Sequence, residues 1–142
     1  MTDAYDLTRF IRAQAGSYPA ALAELRAGEK RTHWMWYVFP QVLGLGLSAN
    51  ARLYAISGEG EAQAYLGHEL LSARLRECTG AMLAHAGKKS AVAILGPIDT
   101  LKFRSSMTLF EQVAPDDSIF GEALDAFFDG TRDAATLVQL GR

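Results

Sequence analysis

A chain of 142 residues, 49% of them hydrophobic and with a formal net charge of −2, is the size of one ordinary domain and can build a core without staples. The acidic balance argues against nucleic acid as a partner, and the basic pair Lys30-Arg31 is too short to change that. A single cysteine, Cys78, excludes an intramolecular disulfide, and three scattered histidines (His33, His68 and His85) give no zinc-ligand pattern, so no metal or cofactor is expected.

The opening Met1-Thr2-Asp3-Ala4-Tyr5-Asp6 has neither a basic n-region nor an apolar h-region, so no signal peptide is read there. No apolar run approaches the ~20 residues a membrane span needs. The expectation is a single soluble, cytoplasmic, all-α domain over residues 1–142, made of about eight or nine short helices, with no membrane partner.

In chain order, Leu7, Phe10 and Ile11 share one helical face, with Gln14 at the next core-facing position, and Gly16-Ser17 ends that helix. A buried glutamine must find partners, and the backbone of the Trp34 segment is the expected one. Pro19 suits the first turn of a second helix that stops at Gly28. Next comes Thr32-His33-Trp34-Met35-Trp36-Tyr37-Val38-Phe39-Pro40-Gln41, then the glycine-broken loop Val42–Leu47. Ser48 caps a predicted helix from Ala49 to Ile56, and another covers Glu61 to Leu66. The longest runs from Glu69 to Ala86, its stripe being Leu71, Leu75, Cys78 and Met82, which makes Cys78 a packing residue. Ser90 starts a short apolar helix to Leu95; a buried strand there would lack pairing partners. Helices are then expected from Asp99 to Val113, from Asp116 or Asp117 to Gly130, and from Asp133 to Leu140.

Two segments carry chemistry. On the helix from Asp99, a rotation of about 100° per residue sets Arg104 and Glu111 on one face, the expected solvent side. Lys102, Ser105 and Ser106 then point the other way, beside Phe103, Met107 and Phe110. A lysine with two hydroxyls can hold a phosphate or carboxylate, whereas in a purely structural role Lys102 pairs with Asp99 and the serines bond back to their helix. In the second segment, five large side chains from His33 to Tyr37 cannot all face one core. Trp34 or Trp36 could stack on a planar ligand, His33 could move a proton near neutral pH, Gln41 could hold a ligand edge, and Gly44 and Gly46 let backbone approach closely.

Ala13-Gln14, Tyr18, Glu24-Leu25, Gly28, Lys30, His33-Trp34-Met35-Trp36, Phe39-Pro40-Gln41 and Gly44-Leu45-Gly46 resemble the opening of a bacterial family, domain of unknown function 1810. The likeness continues through Glu61-Ala62, Tyr65-Leu66, Gly96, Asp99, Lys102, Ser105-Ser106-Met107-Thr108-Leu109-Phe110 and Asp133. The resemblance implies a mainly helical cytoplasmic domain and carries no activity.

Together these readings place one polar pocket between the His33–Gln41 segment and the Asp99–Phe110 helix. The expected function is an enzyme acting on a small anionic, phosphorylated or nucleotide-like compound by acid/base hydrolytic or glycosyl-transfer chemistry. His33, Asp99 and Lys102 are the catalytic candidates; Trp34, Trp36, Gln41, Gly44, Gly46, Ser105 and Ser106 are the ligand-binding ones. The alternative is a non-catalytic ligand-sensing or protein-interaction domain.

Overall fold

Seventeen residues from Pro97 to Val113 form a helix buried on nearly every side, and the rest of the chain wraps it. The computed structural model describes residues 3–142, so Met1 and Thr2 of the acidic opening lie outside the described residues. Ten helices follow in order: α1 Thr8–Ala15, α2 Tyr18–Ala27, α3 Met35–Val38, α4 Ala49–Leu53, α5 Glu59–Gly67, α6 Glu69–Leu83, α7 Ala91–Leu95, α8 Pro97–Val113, α9 Ser118–Phe128 and α10 Ala134–Gln139. The fold is all-α, as expected; among the described residues the sole departure from helix and loop is an isolated parallel bridge between Val42 and Ile56. No helix among them is long and apolar enough to cross a membrane.

Capping chemistry sets most boundaries where the sequence expects them. Ser48 and Ser90 each accept a backbone N–H three residues on, and Asp117 and Asp133 do the same work for α9 and α10. Gly28 closes α2 at φ 75°, a left-handed backbone only glycine adopts freely, and its missing Cβ leaves room for the His85 ring and the Lys89 side chain.

Helix α5 starts two residues earlier than expected and α6 stops at Leu83, before Ala86; three further differences bear on the site. The helix count exceeds eight or nine because Met35–Val38 makes a single turn, α3, inside the aromatic segment. Helix α4 ends at Leu53, since Leu43 N–H donates to the Ile56 carbonyl at 2.7 Å and Ile56 N–H to the Gln41 carbonyl at 2.8 Å. Those bonds pull residue 56 out of the helix and tie the glycine-rich loop to the body. Helix α8 starts at Pro97, two positions before Asp99, because proline at the first turn needs no donor partner. Asp99 therefore sits inside the first turn and is no N-cap.

The faces of α8 also differ. Arg104 and Glu111, expected in solvent, are covered by the chain that leads into α10. Arg132 bonds Glu111 through both nitrogen and oxygen pairs, and Arg104 lies 3.9 Å from Asp133 and over the Phe128 ring. The exposed side of α8 is instead apolar, Ile98 and Leu101 near its start. Charge pairing across elements, invisible to periodicity, hides the ionic face.

At the centre, Phe103 of α8 meets Phe39 edge-on at 4.9 Å between ring centroids, with Phe127 and Phe128 on its other sides. Deleting a fully buried aromatic typically destabilises by about 3–5 kcal/mol, since the site collapses only partly. Phe103→Ala should lose stability in that range in a urea titration, and a loss under about 1 kcal/mol would show that Phe103 does not hold α8 to the Phe39 turn.

Candidate functional site

The His33–Gln41 segment has little helical periodicity, so side chains elsewhere must hold it. Glu24, in the last turns of α2, accepts four hydrogen bonds: from Arg31 N–H at 2.7 Å, Thr32 N–H at 2.9 Å, the Thr32 hydroxyl at 2.6 Å and the Trp34 indole at 3.0 Å. Burial opposes the charge on Glu24, but the bonds from Thr32, Arg31 and Trp34 outweigh it and hold its carboxyl down to about 2, from an ordinary 4.5. On the far side, Gln14 donates to the Tyr37 carbonyl at 2.7 Å and accepts from Arg74 at 3.2 Å. The buried glutamine thus finds its partner in the Trp34 segment, as expected.

Lys30 leads into this clamp, its N–H donating to the Ile94 carbonyl at 2.8 Å, and Lys102 stands opposite on α8. Lys30 Nζ lies 2.9 Å from one oxygen of Asp99, and Lys102 Nζ lies 3.6 Å from the other. Each ammonium also stands over a tryptophan, Lys30 over Trp34 and Lys102 over Trp36, both 5.1 Å from the ring centroid. The Lys30 side chain is only 8% exposed. One carboxylate cannot neutralise two ammonium groups, so the cluster keeps a formal charge of about +1 in a chain of net −2.

The cluster lines a cavity of about 280 Å³ together with His33, Met35, Trp36 and the α7–α8 junction. The first turn of α8 forms one wall; Pro97 has no N–H and Thr100 N–H bonds the Gly96 carbonyl, which leaves the Ile98 and Asp99 N–H groups as its free donors. A second cavity, of about 420 Å³, lies across Lys102 and Ile98, which border both. Its polar walls are Gln41, Ser48, Lys102, Ser105 and Asp133, and the other side chains are aliphatic. The Ser105 hydroxyl lies 2.8 Å from Asp133 and 3.1 Å from the Leu101 carbonyl, and Asp133 also accepts from Thr136.

Among the residues singled out from sequence, His33, Trp36, Asp99 and Lys102 border the first cavity, and Gln41, Gly46, Ser105 and again Lys102 the second. Three lie elsewhere. Trp34 is buried, its indole engaged by Glu24, and supports Lys30 from beneath. Gly44 faces the Gln139 side chain, whereas Gly46, at the second cavity, packs so closely that a Cβ would fall 2.5 Å from that of Ala51. Ser106 is fully buried, with no hydrogen-bond partner for its hydroxyl and no share in either cavity. Lys30 is the residue sequence reasoning passed over. Its signal was position: two residues past the Gly28 stop and three before His33, it had to lie at the start of the aromatic turn. Among the described residues no three His, Cys, Asp or Glu side chains gather closely enough to hold a metal ion.

The fold and cleft define a class of all-helical domain in which two tryptophan-backed lysines share one aspartate at a cavity mouth. The chain belongs to the family described as "Protein of unknown function (DUF1810)", which it matches over residues 4–140. It is similar to a conserved hypothetical protein of Mycobacterium tuberculosis whose crystal structure is known, with 47% identity, 99% of each chain covered and a TM-score of 0.95. No curated protein matches it.

Two outcomes follow from the clamp and the cluster. A carboxyl lowered by folding stabilises the fold above its ordinary value, and that contribution disappears as pH falls from about 4.5 through about 2. Glu24→Gln should therefore be less stable than wild type at pH 7, with the gap closing over that acid window in denaturant titrations at stepped pH; a gap independent of pH would refute the clamp. For the lysines, Lys102→Met leaves Asp99 its closer partner and should change stability by less than about 1 kcal/mol. Lys30→Met removes the closer, better-buried partner while Lys102 still faces Asp99, and should cost about 1.5–3 kcal/mol, the worth of a hydrogen bond to a charged group. Equal losses in thermal melts would contradict the unequal sharing.

Proposed function

We propose that this protein binds a small anionic metabolite in the cleft bordered by Lys30, His33, Trp36, Asp99 and Lys102, in a cytoplasmic setting. The observation that carries the reading is the two-lysine, one-carboxylate cluster at the cavity. An anion entering there meets the uncompensated charge and the donors of the α8 first turn, and it releases Lys102 from its longer contact with Asp99. Hydrogen bonds to charged groups are worth about 1.5–3 kcal/mol each. Lys30→Gln and Lys102→Gln should each weaken phosphate binding about 10- to 100-fold in isothermal titration, and rising salt should weaken wild-type binding too. Wild-type protein that takes up neither phosphate nor a small carboxylate at low salt would end the proposal.

A second reading adds turnover, with an acid/base role for His33. It is favoured by one observation: the His33 ring faces the first cavity with no hydrogen-bond partner among the described residues, whereas His68 and His85 are both engaged at backbone. An imidazole without a fixed partner can bond directly to a ligand in the cavity. A panel of phosphomonoesters, nucleotides and nucleosides, followed by proton and phosphorus NMR, tests it. Product formation that His33→Ala abolishes, with phosphate affinity kept within about threefold, is the expected result. Binding with no turnover of any member would favour a ligand sensor.

A further inference from the structure

The second cavity has a different character from the first, and Lys102 and Ile98 stand between them. Its walls are Leu45, Leu47, Ala51, Leu101 and Ala135, without an aromatic ring and with no cation except Lys102. Most of its polar wall is already engaged: Ser105 and Thr136 both donate to Asp133, and the Ser48 hydroxyl accepts from Ala51 N–H, which leaves the Gln41 amide as the polar group at its edge. At the rim, Leu47, Ile98 and Leu101 are 82%, 70% and 58% exposed. Apolar side chains grouped around a concave surface favour whatever covers them.

We propose that the ligand is an anionic amphiphile, a free solute with a phosphate or carboxylate head and a linear aliphatic chain. The inference rests on the anion site proposed above. The head occupies the first cavity between Lys30 and Lys102, and the chain crosses Ile98 and lies in the second cavity against Leu45, Leu47 and Leu101. The Lys102 stem serves both parts, its methylenes along the chain and its ammonium at the head. A chain is preferred to a ring because the one aromatic surface at the cleft, Trp36, belongs to the head cavity and already carries Lys102.

The test is isothermal titration with inorganic phosphate and with methyl, butyl, hexyl and octyl phosphate, each below its micelle concentration. Full burial of a methylene is worth roughly fourfold in affinity, so octyl phosphate should bind at least about tenfold more tightly than butyl phosphate. Ala135→Trp, which fills the second cavity, and Leu101→Gln, at an exposed position that tolerates the change, should each flatten that dependence. Phosphate that binds with no gain along the series would overturn the amphiphile and leave the anion site standing. Absence of binding by every member would remove both. A gain per methylene that survives both variants, equal affinity for octyltrimethylammonium, or sedimentation with phosphatidic acid vesicles in place of octyl phosphate binding would each also overturn the proposal.

Discussion

One carboxylate organises the approach to the cleft. Glu24 is anchored in α2 and accepts four bonds from a stretch that has no regular structure of its own. Arg31 and Thr32 are exposed, so their N–H groups could bond water, and the Glu24 carboxylate instead gives them one fixed acceptor. Satisfying them with a charged acceptor sets the chain direction after Gly28, seats the Trp34 indole in the core and leaves Trp36 half-buried two residues later. Lys30 and the turn of α3 then have one available arrangement. Glu24 holds one end of the α3 side of the cavity, and the Gln14 bond to the Tyr37 carbonyl holds the other.

Across the cleft, Asp99 works against a surplus. A helix start with proline before it and an acidic residue in its first turn is stable on its own terms. Bringing two lysines to that carboxylate exceeds what it can neutralise, and the excess is held in place by packing on tryptophan faces. Such an arrangement is poor as pure scaffolding, where a single well-paired lysine would serve better. Sites shaped for a ligand often carry this kind of local conflict.

Much of the fold was legible because its punctuation is local. Ser90, Asp117 and Asp133 act on donors two or three residues away, and Gly28 acts through its own φ. What was illegible depends on partners distant in sequence. The turn of α3 has too few residues for a period to show. Arg104 and Glu111 look like solvent residues until Arg132 and Asp133 arrive. Trp34 and Trp36 are chemically alike, and only Glu24 decides which of them is buried. Ser106 shares a helical face with Lys102, yet the angular argument cannot tell a cavity wall from the core behind it. The grouping of His33 with Lys102 was readable as a juxtaposition of two unusual segments, while Lys30 was hidden by being read only as half of a short basic pair.

Both tryptophans of the chain sit in this one turn, each beneath a lysine. Indole emission responds to nearby charge and to water, so the tryptophan fluorescence, excited beyond the tyrosine band, originates at the cleft. Trp34 supplies a sheltered component beside a carboxylate, and Trp36 a wetter one beside a mobile ammonium. A spectrum that in most proteins averages over many places is here a local reading, and the molecule carries its own optical probe of whether the cleft is filled.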